Sequence, residues 1–367
     1  MRSIKSCTLE ELAAQFTALG EPAYRAKQVI EWLYLKRAAG FAEMTNLPVP
    51  LREKLSSEFD ERPLEVVRKI GSRDTTQKFL FRLHDGQMVE TVLIPASPSL
   101  YGDAADRRTL CVSSQVGCAY GCKFCASGLD GWKRNLDAGE IVDQLLRVEA
   151  ESGERVNNIV FMGMGEPLAN YDNLLRAIGI INAPWGVNIG ARHITVSTSG
   201  LVPRIRDLAD QPLSIRLAIS LHGATDEVRN RIMPVNKKYP LAELLEACVY
   251  FRSRKKQKIT FEFILIKDVN DSLEQAAELA RLTKRLEAKV NVIPYNSVEG
   301  LEWTRPSERE QDAFMDVLRR AGAVATIRRE KGHDIAAACG QLRLQSLGDS
   351  PNVAPGEKPV AADATVH

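Results

Sequence analysis

Apolar positions along this chain of 367 residues change their period twice. Near the N-terminus they recur every three or four places. Leu9, Leu12, Ala13 and Phe16 follow a Thr8/Glu11 capping box, and Gly20 closes that helix. Ala26, Val29, Ile30 and Leu33 stripe a second helix over Tyr24–Arg37, and a third fits Pro50–Phe59. The period then shortens to two in Gln77–Leu83 and Met88–Ile94, joined through Asp85-Gly86, which predicts a β-hairpin.

From Arg108 on, the two periods alternate. Strands fit Thr109–Ser113, Ile159–Met162, Ile194–Ser197, Ser214–Ser220, Ile259–Leu265, Val290–Pro294 and Val324–Arg328. Helices fit Ala138–Glu151, Tyr171–Ile181, Val202–Ala209, Leu241–Arg254, Leu273–Leu286 and Glu308–Ala321. Such alternation predicts an α/β fold, a parallel sheet with helices outside, either open or curled into a partial barrel. The expected organisation is a helical accessory domain over 1–62, a hairpin extension over 63–107, the α/β body over 108–347 and a disordered tail over 348–367. The tail is rich in Pro, Ala, Gly and charge. In such folds function collects on loops after the strand C-termini.

Bulk properties narrow the class without naming a partner. Net charge is only +2, which neither advertises nor excludes nucleic acid. No apolar run is long enough to span a bilayer, and the N-terminus lacks an apolar signal core. Seven cysteines, an odd number, do not suit a secreted disulfide framework, so a reducing cytoplasm is the expected location. A monomer is the default expectation.

The chemistry starts at Cys118-Ala-Tyr-Gly-Cys122-Lys-Phe-Cys125, a C-x3-C-x2-C array just after the first strand of the α/β body. Three thiolates so placed can hold three irons of a 4Fe–4S cube and leave the fourth open to a substrate or cofactor. Two plainer readings stay open. Zinc wants four ligands, and the nearby fourth thiol is Cys111. A redox dithiol needs only Cys122 and Cys125. Other polar groups end successive strands: Gly165 and Glu166 after one, Ser197 to Gly200 after the next, then Ser220-Leu221-His222, then Asn296. Any one suits a cap or a turn, but together they converge on one rim. Cys7 and Cys248 read as packing residues, whereas Cys339 beside Gly340 reads as an accessible thiol.

Together, Leu110–Cys125, Lys133-Arg134-Asn135-Leu136, Phe161–Leu168, Leu217–Asn236 and Ala336–Gln341 resemble the RlmN/Cfr family of radical S-adenosylmethionine RNA methyltransferases. The resemblance runs from the helical region to about Leu344. It departs at Ser127, where the family often has Thr, and in a long 95–107 stretch.

The resemblance implies a partial (βα)6 barrel, one 4Fe–4S cluster on Cys118, Cys122 and Cys125, and two S-adenosylmethionine molecules per turnover. It places S-adenosylmethionine on Gly165, Glu166, Ser197, Ser220, Leu221, His222 and Asn296. Cys339 would take a methyl group, and a 5′-deoxyadenosyl radical would remove one of its hydrogens. The methylene would then add to an adenine carbon, Glu90 would accept the displaced proton, and Cys111 would release the product by forming a disulfide with Cys339. The implied substrate is large-subunit rRNA, methylated at adenine carbon-2, extending to the adenine 3′ to the anticodon in some tRNAs. A flavodoxin or ferredoxin would supply electrons. Carbon-8 methylation, a zinc-containing RNA-binding module and a small-molecule radical enzyme are the competing readings. Two basic groups, Arg25/Lys27/Lys36/Arg37 and Arg252–Lys258, are candidate RNA contacts.

Overall fold

The computed structural model describes residues 1–96, 106–129, 131–328, 331–337 and 340–342. Cys339, the 97–105 stretch and the 348–367 tail lie outside the described residues.

The N-terminal helices span Leu9–Ala18, Tyr24–Tyr34 and Val49–Glu58. The capping box forms: the Thr8 hydroxyl accepts from the Glu11 N–H, and the Glu11 carboxylate accepts from the Thr8 N–H. Two short strands, β1 (Arg2–Ser3) and β2 (Phe59–Asp60), pair and close this unit. It docks on the helix Ala138–Ser152 through buried polar groups. Lys5 Nζ donates to Asp143 Oδ1 at 2.7 Å with both side chains buried. Asp143 Oδ2 accepts from the Leu64 N–H at 2.7 Å, and Ser6 Oγ accepts from the Gly139 N–H at 2.7 Å. Removing one partner would strand a buried charge, so these bonds fix the unit's position on the body.

The body is one ten-stranded sheet. Its strands are β3 (Glu65–Gly71), β4 (Gln77–Arg82), β5 (Met88–Pro95), β6 (Arg108–Cys111), β9 (Asn158–Phe161), β10 (Ile194–Thr198), β11 (Arg216–Ser220), β12 (Thr260–Leu265), β13 (Lys289–Pro294) and β14 (Val324–Ile327). A separate ribbon pairs β7 (Gln115–Gly117) with β8 (Trp132–Asn135). From β6 to β14 the main strands run parallel and lie side by side in chain order. Each is linked to the next through a helix. Unreversed order is the topology of a barrel wall; a doubly wound sheet reverses at a switch point. In the described residues β14 pairs only with β13, so the wall stays open.

The other edge contains the expected hairpin, β4 with β5, and extends it. The two expected strands are joined by a third, β3, in an antiparallel meander, and β5 continues the main sheet by pairing with β6. Strand β3 escaped the pattern because its side chains are exposed or half-buried, with no apolar face for alternation to mark. A short helix, Asp226–Ile232, also went unseen.

Candidate active site

The three cysteines sit on a loop between β7 and β8, beyond the C-terminus of β6. Its turns are tied down locally. The Cys118 N–H donates to Gly131 O at 3.2 Å, and the Lys123 N–H donates to Ile232 O at 2.9 Å. Gly340 and Leu342 are pinned to the same loop. The Ala126 N–H donates to Gly340 O at 2.8 Å, and Ser127 Oγ donates to Leu342 O at 2.6 Å.

Cys118, Cys122 and Cys125 line one cavity of about 930 Å³. Gly165 and Glu166 after β9, Ser197 on β10, and Ser220 and His222 at the end of β11 line it too, all from the C-terminal side of the wall. Leu221 and Asn296 stand behind this lining. The Leu221 carbonyl accepts from Arg229, and Asn296 Oδ1 accepts from Arg305 at 2.9 Å.

Close backbone approach shapes the near wall. A Cβ on Gly163 would meet Ser113 Oγ and Val112 O at 2.7 Å; one on Gly165, at φ +98°, would meet Gln115 Cβ at 2.5 Å. Glycine is therefore required at both, and the loop they form cradles the cavity. Glu166 is buried, and burial raises its carboxyl above the usual range against opposing hydrogen bonds from Ser199 and Leu168. His222 Nδ1 accepts from the Ile264 N–H at 3.0 Å. Burial, aided by Arg229, drives the imidazole down to about 3, so it is neutral with its Nε2 carrying the proton. Its ring packs edge-on against Phe124 of the cysteine loop, centroids 4.8 Å apart.

The donor set fits a cluster. Burial holds the Cys118 thiol up at about 12 and pushes that of Cys122 well above its usual value. A thiol kept protonated by burial is a poor nucleophile, which disfavours a redox role for Cys122, and a bound metal would displace its proton. Among the described residues no three His, Cys, Asp or Glu side chains converge on a single-ion site. A cubane takes each thiolate on a different iron, so three thiols set around one cavity suit it better than zinc.

Cys111 lines an adjoining smaller cavity with Arg328, Ala337 and Gly340. The two cavities share Cys125, Ser127, Met162, Gly163 and Gly340. Cys111 pairs with Val92 on β5, two residues from Glu90 on the same face of that strand. Glu90 is buried rather than outward-facing, with its carboxylate 2.9 Å from Lys78 Nζ. It lines neither cavity. Cys7 and Cys248 are fully buried, as packing residues should be.

Sequence reasoning missed Arg229. Its side chain is fully buried. The guanidinium donates to Ser199 O and Ser220 O at 3.1 Å, to Leu221 O, and to Asn236 Oδ1 at 2.7 Å. It thereby ties the loop after β10 to the loop after β11. The only available signal was its place inside the family-like run Leu217–Asn236.

The two basic groups are mostly committed elsewhere. Arg37 pairs with Glu149, Arg25 with Glu21 and Lys36 with Glu31, leaving Lys27 exposed. Arg252 pairs with Glu287 and Arg254 with Asp210, while Lys255 donates to Gln211 O. The second group also precedes β12, at the opposite end of the wall from the cysteines.

Comparison with known proteins agrees with this architecture. The radical SAM superfamily model matches residues 112–280, and the ribosomal RNA large subunit methyltransferase N-terminal domain matches residues 4–60. A probable dual-specificity RNA methyltransferase RlmN from Akkermansia muciniphila is 55% identical over 342 residues, covering 93% of this chain and 95% of that protein. Its counterpart from Geobacillus kaustophilus is 50% identical over 346 residues, covering 94% and 93%. The crystal structure of a radical SAM methyltransferase from Sphaerobacter thermophilus superposes with a TM-score of 0.89 at 45% identity, covering 94% of this chain and all of that one. With its N-terminal helical unit, its open parallel wall and its three-cysteine loop, the chain belongs to the RlmN family of radical S-adenosylmethionine RNA methyltransferases.

Proposed function

We propose that the protein methylates carbon-2 of an adenine in 23S rRNA, and the adenine 3′ to the anticodon in some tRNAs. The observation that carries this is the junction of two cavities. The three-cysteine loop meets Ser197, Ser220 and His222 in one, and Cys111 lies in the other beside Ala337 and Gly340, which flank Cys339 in sequence.

In this reading Cys118, Cys122 and Cys125 hold a 4Fe–4S cluster, and two molecules of S-adenosylmethionine are used per turnover. When bound, the cluster supplies the electron that splits one of them, the radical chemistry an electron-poor adenine carbon demands. Gly165, Glu166, Ser197, Ser220, Leu221, His222 and Asn296 bind and position the co-substrate. His222 contributes through a neutral Nε2–H. Cys339 takes the methyl group, Glu90 accepts the adenine proton, and Cys111 resolves the protein–RNA thioether by forming a disulfide with Cys339. Burial of Glu90 on the same strand face as the Cys111 partner supports its assignment. A flavodoxin or ferredoxin as donor, action as a monomer and a cytoplasmic site complete the proposal. The named relatives favour this product over the carbon-8 alternative.

Two measurements test it. After anaerobic reconstitution and addition of S-adenosylmethionine, mass spectrometry should find a methyl group on the Cys339 peptide. Digestion of treated 23S rRNA and tRNA should then yield 2-methyladenosine. An unmodified Cys339 beside a competent cluster, or a product methylated only at carbon-8, contradicts the proposal.

A further inference from the structure

We infer that Lys78 is a positioning residue for methyl transfer to RNA: it keeps Glu90 ionised and ties that carboxylate to the segment leading to Cys339. The inference rests on the roles proposed above for Glu90, Cys111 and Cys339.

Sheet register brings these groups together. Lys78 on β4 lies opposite Val92 on β5, and Val92 lies opposite Cys111 on β6. Directly opposed residues of antiparallel strands share a face, and Glu90 is two positions from Val92. Lys78, Glu90 and Cys111 therefore project from the same face of the sheet. Lys78 Nζ is 2.9 Å from Glu90 Oε1, with the two side chains only 6% and 5% exposed. The same ammonium donates to Ala336 O at 3.2 Å.

That second bond reaches the segment 331–337, which the meander also holds elsewhere. From the turn between β3 and β4, Asp74 Oδ2 accepts from the Gly332 N–H at 2.9 Å, and Ser72 Oγ donates to Asp334 Oδ1 at 2.5 Å. Lys331 Nζ donates to Pro95 O and Ala96 O at the end of β5. Ala336 stands at φ +49°, a left-handed conformation that is costly for alanine and persists only where surrounding bonds hold it. Ala337, next along, lines the Cys111 cavity, and Cys339 follows two residues later.

A base must be ionised to act. As the C–H bond at carbon-2 of the ring–methylene adduct breaks, its proton goes to the Glu90 carboxylate and its electron pair stays with the ring. Burial alone favours the neutral carboxyl, whereas a cation in contact favours the ionised one. Other charged or titratable groups on the surrounding elements are Arg68 on β3, Cys111 on β6, Arg328 after β14, and Lys331 and Asp334 on the segment. Arg68 is exposed, Arg328 and Cys111 line the smaller cavity, and Lys331 and Asp334 are engaged as described. Lys78 touches both the carboxylate and the Cys339 segment.

The test starts from protein already methylated on Cys339, so each rate is counted per methylated chain. An rRNA hairpin transcript, S-adenosylmethionine and a one-electron reductant are added. Two species are followed, 2-methyladenosine and the covalent protein–RNA thioether. Lys78→Met should form 2-methyladenosine about 10²-fold more slowly than wild type and accumulate the covalent species, as Glu90→Gln should. The Lys78→Met deficit should shrink about tenfold per unit of added pH as the unpaired carboxyl regains its charge, while the Glu90→Gln deficit stays put. Lys78→Arg, which keeps a cation, should recover part of the product. A merely structural Lys78 would lose product and covalent species together at every pH, and that result overturns the inference. Product formed by Lys78→Met at about the wild-type rate overturns it too. So does failure of Lys78→Met to take the methyl group on Cys339, which would leave Lys78 an anchor of the segment alone. Should Lys78→Met fold poorly, Lys78→Gln decides, since it is uncharged but still able to donate: wild-type rates there overturn the inference. Glu90→Gln forming product at the wild-type rate overturns instead the underlying role of Glu90, and wild-type protein that makes no 2-methyladenosine overturns the whole reading.

Discussion

Replacing Arg229 with Met should be among the most damaging changes outside the cysteines. The guanidinium is fully buried and satisfies three backbone carbonyls and the Asn236 side chain. Its proton affinity is lowered by burial to about 10, still well above neutrality, so it is a buried cation held by dipoles. Methionine matches its length but donates nothing. Each acceptor left unsatisfied costs about 1–3 kcal/mol, and relief of the buried charge returns part of that sum. A net loss of about 3–5 kcal/mol is expected, a large share of a typical folding free energy of about 5–15 kcal/mol. The loss should also reach the site, because two of the freed carbonyls, Ser199 and Ser220, belong to residues lining the main cavity. The assay is urea unfolding of the protein with and without Met at 229, together with iron per chain after reconstitution. Arg229→Lys, which keeps the charge but not the planar fork, should fall between. Unfolding of Arg229→Met within 1 kcal/mol of wild type, with full iron loading, would refute the claim that this side chain holds the loops together.

Two further substitutions probe the same frame. His222 sits at φ +53°, which Asn tolerates, and an Asn oxygen can replace Nδ1 as acceptor. The folded imidazole titrates near 3, below its ordinary value of about 6.5, so between those limits the unfolded chain binds a proton that the folded chain does not. Stability should therefore fall as pH drops below about 6.5, by about 1.4 kcal/mol per unit from this group, and His222→Asn should flatten that slope in urea titrations at pH 5–7. Identical slopes in the two proteins would remove the imidazole from the account. Gly163→Ala places a Cβ 2.7–2.8 Å from backbone and side-chain atoms of Val112 and Ser113, so the loop must spread, at about 1–3 kcal/mol. A lowered melting temperature and reduced iron retention are expected; an unchanged protein would mean the cradle is not tight.

Much of the fold was legible because its signals are local. The Thr8/Glu11 capping box, the stripe of Ala26, Val29, Ile30 and Leu33, and the apolar runs of β9 to β13 each report on a few neighbouring residues. The cysteine spacing is covalent, and so is the placement of Gly165, Ser197 and Ser220 at strand ends, which parallel topology turns into a common rim. Strand β3 was invisible because an exposed edge carries no burial pattern.

Partnership across distance was not legible. Arg37 meets Glu149, 112 positions away, and what read as a surface cation is part of the docking of the helical unit. Arg229 looked like any other arginine, in a stretch where no helix was expected, until the wall curled its tip under two loops. Glu262 is an acid in an apolar strand, and only strand register sets it beside Asn291 and leaves one oxygen open. The order of residues fixes which groups can cap, pair or ligate near themselves, since those bonds span a few covalent links. Which buried charge meets which acceptor depends on how ten strands align, because that alignment alone sets separations between residues a hundred positions apart.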